Sequence, residues 1–318
     1  MAKVNNSCPI NYRFSGHDSF VCRYSWIPKA VNAIQDDPSI FADEEKAIIA
    51  MGVGKNMVKS MKFWAEVMGI IQPASQSKNA LTDFGKIIFD CSTGHHGCDP
   101  YLEDIRTLWL LHWKLSSHVE NPVFAWDYMM NKWHTPEICL SKVIPIYIEE
   151  AAKLSRDISA DTIKDHFSIF LHTYVQGRTH EDAILEDSLD SPLIELNLIR
   201  KAGERIVENT GKRELVYAFN KEEKPDITPA LFLYALLDFK ERRLPNSQKL
   251  SFNQIANGHG SPGQIFKLPE SSIRERLEKM SALTHGALVF KDASNEPHVS
   301  VERNKLRIND LLTSVYQD

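Results

Sequence analysis

Between Lys55 and Gly69 the chain carries two stripes that point opposite ways round a helix. Met57, Met61, Trp64 and Met68 recur at i, i+4, i+7 and i+11, one face of a 3.6-residue period. Lys55, Lys59, Lys62 and Glu66 repeat that spacing two residues earlier, so they face away from the sulfur and indole side. A helix with a buried aromatic face and three outward lysines suits the edge of a DNA duplex, whose phosphates attract ammonium groups at each turn.

The flanking residues place this helix in a winged helix-turn-helix over residues 43–89. Asp43-Glu44-Glu45 opens a preceding helix with acids where the dipole favours them, and Ala47, Ile48 and Met51 form its inner side. Gly52-Val53-Gly54 supplies the sharp turn. Ile70-Ile71-Gln72 and Asn79-Ala80-Leu81 can pair as a wing, and Thr82 caps a helix over Asp83–Phe89. Lys55, Asn56, Lys59 and Lys62 are the candidate DNA-binding residues here. The competing reading is a winged helix used for protein contacts.

The rest of the chain divides into two further stretches. Residues 98–220 read as a helical middle domain, with helices over Tyr101–Lys114, Ser141–Leu154 and Ala160–Tyr174 and a hairpin from Asn197–Lys201 to Arg213–Asn220. Residues 221–318 repeat the outline of 1–97. Thr228 caps a helix with Pro229 at its first position, and Ser251–Ala256 is a short helix. Glu270–Leu283 buries Ile273, Leu277 and Met280 while exposing Arg274, Arg276 and Lys279, three more candidate DNA-binding residues. Leu288–Phe290 and His298–Val301 flank a second wing, and a closing helix starts at Asn304. The expected fold is mainly α with small β wings: two winged helix-turn-helix-like domains flanking a helical middle domain.

Net charge is −5, so nucleic-acid contact must come from local basic patches. The five cysteines show no repeated spacing, and the start Met1-Ala2-Lys3 has no apolar signal region. No apolar run of about 18 residues exists to span a membrane. A cytoplasmic protein with reduced thiols is expected.

Three tempting motifs fail. Gly54-Lys55-Asn56 has Ile49 where a phosphate-binding loop needs glycine, and Asn56 where it needs Ser or Thr. Asp226 with Asp238-Phe239-Lys240 matches a nuclease pattern, but its second half lies in a helical segment rather than a strand. Cys91, His95, His96 and Cys98 crowd into eight residues without a second pair, so no metal is assigned there.

Phe14-Ser15-Gly16-His17, Gly52-Val53-Gly54-Lys55-Asn56-Met57, Asp99-Pro100-Tyr101-Leu102-Glu103-Asp104 with Thr107-Leu108-Trp109-Leu110-Leu111-His112-Trp113, and Ser261-Pro262-Gly263-Gln264-Ile265-Phe266-Lys267-Leu268 stand along nearly the whole chain. In this combination the chain resembles the SspB family, the DNA-nicking subunits of bacterial Ssp-type DNA phosphorothioation systems. The resemblance implies nicking of one strand so that sulfur can replace a non-bridging phosphate oxygen. It implies as partners double-stranded DNA, a cysteine desulfurase, an ATPase and a sulfurtransferase-like subunit; a homodimer stays open. Asp18 departs from a frequent glutamate, and Val21-Cys22 from a proline–aromatic pair.

A phosphodiester nick at neutral pH calls for carboxylates to hold Mg²⁺ or Mn²⁺ and a base to take a proton from water. Glu103 and Asp104 are the candidate catalytic and metal-binding pair, with His17 and His112 as candidate bases. The plainer readings are an acidic first helical turn for the pair and a hydrogen-bonded core position for His112. Glu186, Asp187 and Asp190 are alternative ligands, or simply an acidic surface loop.

Overall fold

The computed structural model describes residues 10–317, apart from 76, 93, 95, 155–157, 177–190, 293–295 and 303–305. Glu186, Asp187 and Asp190 lie outside the described residues. The first stretch contains Trp26–Asp36 (α1), Glu44–Met51 (α2), Lys55–Val67 (α3), Ile71–Pro73 (β1), Asn79–Leu81 (β2) and Asp83–Phe89 (α4). Asp43 caps α2 by accepting the Lys46 N–H, and Gly52 ends it at φ 65°, a left-handed geometry glycine adopts without strain. β1 and β2 pair with Ile71 opposite Leu81. Thr82 Oγ1 caps α4 through the Gly85 N–H and donates its proton to the Gly69 carbonyl.

α3 has the phase expected of it. Met61, Trp64 and Met68 are fully buried, while Lys55, Asn56 and Lys59 are exposed and Lys62 and Glu66 half-exposed. Its buried side is wider than one stripe, however, and includes Val58, Ser60, Phe63, Ala65 and Val67. α1 and α2 pack on it, and the segment before α1 is hydrogen-bonded to it: Ser60 Oγ donates to the His17 carbonyl and Trp64 Nε1 to that of Phe20.

The middle stretch contains Ile105–Ser116 (α5), Phe124–Asn131 (α6), Leu140–Lys153 (α7), Ala160–Tyr174 (α8) and the hairpin Ile199–Ile206 (β3) with Arg213–Phe219 (β4). α5 starts at Ile105, one turn later than the apolar pattern from Tyr101 implies. Leu102 sits at φ 61°, and the Asp99 carboxylate accepts the N–H groups of Glu103 and Asp104, closing a turn that a helix cannot run through. Every residue from Thr107 to Ser116 is buried.

The last stretch contains Pro229–Arg243 (α9), Lys249–Ser251 (β5), Phe252–Asn257 (α10), Pro262–Phe266 (α11), Glu270–Leu283 (α12), Leu288–Lys291 (β6), His298–Val301 (β7) and Ile308–Ser314 (α13). The expected two-stranded wing, β6 with β7, is joined by β5 on the other side of β7 in a three-stranded antiparallel sheet of order β5–β7–β6. The closing helix starts at Ile308 rather than Asn304, which lies outside the described residues. Trp64 meets Trp126 at 5.7 Å, Trp113 meets Phe266 at 5.4 Å and Phe84 meets Tyr234 at 6.5 Å, so the three stretches share one buried core. Among the described residues no helix is long and apolar enough to cross a membrane.

Candidate functional site

The outward side of α3 presents Lys55, Lys59 and Lys62 in a row. Lys55 pairs with Glu44 of α2 at 2.9 Å, across the glycine turn. Lys62 lies 3.9 Å from Glu66 and over the ring of Phe41. Lys59 is exposed and makes no ion pair among the described residues. Exposed pairs of this kind contribute at most about 1 kcal/mol, so an incoming phosphate can displace them. Glu66 also takes Arg13 at 3.4 Å, which joins the extended segment before α1 to the end of the stripe.

Arg274, Arg276 and Lys279 do not form the matching face expected on α12. Arg276 is buried: its guanidinium donates to the carbonyls of Ile227, Lys224 and Ser272, which lock the loop before α9 onto α12. Arg276 is therefore corrected from an exposed DNA contact to an internal tie. Arg274 pairs with Asp292 and lies 4.3 Å from the ring of Phe252. Lys279 is exposed and pairs with Glu275 at 2.7 Å.

His17, His112 and the neighbouring pair Glu103 and Asp104 make no hydrogen bond or ion pair with one another among the described residues, and each is held by other partners. His17 is buried, and its Nε2 lies 3.1 Å from Nδ1 of His166 on α8, with the rings stacked. The Ala125 N–H donates to His166 Nε2 and the Ser19 N–H, at 3.3 Å, to His17 Nδ1, so each ring accepts from the backbone at one nitrogen and turns the other to its neighbour. Burial pushes His17 down to about 4, against the opposing charges of Asp18 and Asp165, and holds His166 well below the usual imidazole range. Asp104 caps α5, accepts the Arg106 N–H, and gives both carboxylate oxygens to the Arg106 guanidinium at 2.7–3.0 Å. Burial opposes ionisation there, but the Arg106 contacts outweigh it and lower the Asp104 pKa. Arg106 in turn donates to the Val315 carbonyl beyond α13, so Asp104 is anchored to the C-terminus while His17 is anchored to α3 and α8. Glu103 is exposed on the turn before the cap.

His112 is a core histidine rather than a surface base. It is fully buried, donates from Nε2 to the Ile265 carbonyl at 3.0 Å, and accepts from the Tyr174 hydroxyl at Nδ1 at 2.7 Å. Burial pushes it down to about 4. Asp238, of the rejected nuclease pattern, holds buried Lys114 at 3.1 Å and the Trp113 indole N–H at 2.8 Å, a structural ion pair.

The sequence reading missed His166, the partner of His17, and a polar node made by Asp127 on α6 and His259 before α11, whose ring and carboxylate lie 2.7 Å apart. Each left a signal. Asp127 is the lone carboxylate in a helix of buried residues, and His259 sits between two glycines immediately before Ser261–Leu268.

Comparison with solved structures finds the same fold in a crystal structure of SspB, at 24% identity and a TM-score of 0.80, covering 96% of this chain and 89% of that one. A crystal structure of magnesium ion-bound SspB is similar at 22% identity and a TM-score of 0.78, covering 96% of each chain. Among curated proteins, none matches. Residues 14–316 match the family described as Protein of unknown function (DUF4007), and the chain belongs to that family.

Proposed function

We propose that this protein is the DNA-binding, strand-nicking component of a DNA phosphorothioate modification system, opening one strand so that sulfur can enter the backbone. The observation that carries the reading is the outward lysine row of α3, held only by exposed or half-exposed ion pairs, on a fold shared with SspB over 96% of the chain. The order α1, α2, turn, α3, β1, β2 supports a winged helix-turn-helix with α3 as its recognition helix. The order α9, β5, α10, α12, β6, β7, with its sheet arranged β5–β7–β6, supports a second winged helix. Its partners on this reading are double-stranded DNA and the cysteine desulfurase, ATPase and sulfurtransferase-like subunits, in the cytoplasm.

Magnesium in one similar structure supports a divalent cation as cofactor. Glu103 and Asp104 do not fit it. Both oxygens of Asp104 face a guanidinium that would repel a cation, and among the described residues no group of three or more His, Cys, Asp or Glu side chains could hold a metal.

Changing Lys55, Lys59 and Lys62 together to Glu is expected to abolish duplex binding with the fold intact. Changing all three to Gln should flatten the log–log salt dependence of binding by a slope of about 3 if each lysine meets a phosphate. Gel-shift affinity equal to the parent at matched salt would remove α3 from the interface. Incubation with supercoiled plasmid and Mn²⁺, with and without chelator, tests the chemistry. Open circles are the expected product; bound but uncut plasmid would leave a scaffold that recruits the sulfur-transfer enzymes.

A further inference from the structure

Asp127 and His259 are the centre of a cluster drawn from four parts of the chain. Asp127 is only 3% exposed, on α6 between Trp126 and Tyr128. Its Oδ1 accepts from His259 Nε2 at 2.7 Å and its Oδ2 from the Tyr12 hydroxyl at 2.8 Å, with Lys132 Nζ 3.8 Å away. Burial alone would raise this carboxyl, but the His259 and Tyr12 hydrogen bonds and the Lys132 charge outweigh it and hold it below the usual carboxylate range. The cluster therefore contains a buried, ionised acid aimed at an imidazole.

His259 itself reaches solvent, its side chain 38% exposed. A carboxylate only accepts, so Nε2 of His259 carries the proton and the neutral ring has its lone pair on Nδ1. No partner takes Nδ1 among the described residues. The loop that carries the ring is fixed. The Gly260 N–H donates to Asn131 Oδ1 at 2.7 Å, and at φ 75° any Cβ on Gly260 would fall 2.4 Å from Arg243 Nε. Arg243, half-buried at the end of α9, has Asp127 and Tyr12 within electrostatic reach but makes no hydrogen bond or ion pair among the described residues. Lys132, 40% exposed, donates to the Tyr12 hydroxyl at 3.3 Å. Lys132 and Arg243 place two cations about the Asp127 carboxylate, with Glu150 also in electrostatic reach of Tyr12, and a phosphodiester beside the free imidazole nitrogen would meet both cations.

The cluster also joins the lysine face. Tyr12 and Arg13 are neighbours on one extended segment; Tyr12 binds Asp127, while Arg13 binds Glu66 at the end of the α3 stripe. Arg13 and Arg242, the residue before Arg243, both lie close enough to His118 to disfavour its protonated form. Lys62 and Arg13 share Glu66, and Arg242 pairs with Asp238 at 3.0 Å, so Arg243 is the one of these four cations that has no acid partner among the described residues.

We propose that Asp127 and His259 form a general-base dyad for phosphodiester scission, with Arg243 and Lys132 holding the backbone phosphate beside it. The proposal rests on the nicking function proposed above. His259 Nδ1 takes a proton from water as the water oxygen bonds to phosphorus and one P–O ester bond breaks. The departing oxygen takes a proton from solvent, and His259 returns its own to solvent, so the products are one hydroxyl end and one phosphomonoester end. His259 is the catalytic residue. Asp127 is a positioning residue that fixes the tautomer and stabilises the imidazolium, as a carboxylate does behind the histidine of a hydrolase triad.

The test uses the full-length protein and supercoiled plasmid. His259→Ala is expected to nick about 100-fold or more slowly than the parent, the usual contribution of a positioned base, with unchanged gel-shift affinity. Imidazole added to the buffer should restore part of that rate, which a structural role would not allow. His259→Gln can still donate to Asp127 and guards against a loss of folding; it should be equally slow. Asp127→Asn should lower the turnover rate at unchanged DNA affinity. A parent that nicks while His259→Ala nicks as fast overturns the dyad and leaves the nicking reading standing. A parent that relaxes no plasmid in any metal overturns both.

Discussion

Trp64→Ala is expected to cost about 3–5 kcal/mol of stability, the range for emptying a large aromatic site in a packed core. The side chain is fully buried, its ring meets Phe63 at 5.3 Å and Trp126 at 5.7 Å, and its N–H donates to the Phe20 carbonyl at 3.0 Å. Truncation removes the apolar surface, both edge contacts and the partner of that carbonyl together. Chemical or thermal melts read the loss directly. Single changes of Lys55, Lys59 or Lys62 on the opposite side should stay within about 0.5 kcal/mol, as exposed substitutions do. An unchanged melting temperature for Trp64→Ala would mean that α3 is turned the other way.

Acid is expected to unfold the protein well before the carboxylates titrate. His17, His112 and His118 are pushed down to about 4 by burial, and His166 is held well below the usual imidazole range for the same reason. In the unfolded chain the same imidazoles bind protons near pH 6.5. Between about pH 6.5 and 4 the unfolded state therefore holds more protons than the folded one. Stability is fully present above that window and drains away as the pH falls through it. Each imidazole loses about 1.4 kcal/mol per pH unit, so at pH 5 each costs roughly 2 kcal/mol. Several such groups acting together approach the whole stability of an ordinary domain, on the order of 5–15 kcal/mol. Denaturant melts at pH 7.5, 6 and 5 should show a steep fall. A midpoint that holds steady from 7.5 to 5 would show that these rings are not held neutral.

Local pattern carried most of the element reading. α3, α4, α7, α8 and α12 declare themselves through caps and periodicity, because both act within a few residues. The failures share one cause, a partner far along the chain. β5 has three residues, too few to show alternation, and exists by pairing with β7, some fifty positions later. Arg276 follows the charged pattern of its helix, yet the carbonyls of Lys224 and Ile227 close over it. Asp99 holds off the start of α5 through two backbone bonds that no apolar pattern records. The lysine row was legible because a helix repeats it. His17 with His166, and Asp127 with His259, were not, because more than a hundred residues separate each pair and only the folded chain brings them together.

Trp64 on Trp126, Phe84 on Tyr234 and Trp113 on Phe266 have a practical meaning for anyone wishing to dissect this protein. Each contact spans what the sequence offers as a natural cutting point, so a fragment ending near residue 97 or starting near 221 would carry half of an aromatic pair into water. Calorimetry of the intact chain should then show one cooperative endotherm, and expression of isolated thirds should give aggregates rather than miniature DNA binders. The chain inherits or loses its fold whole.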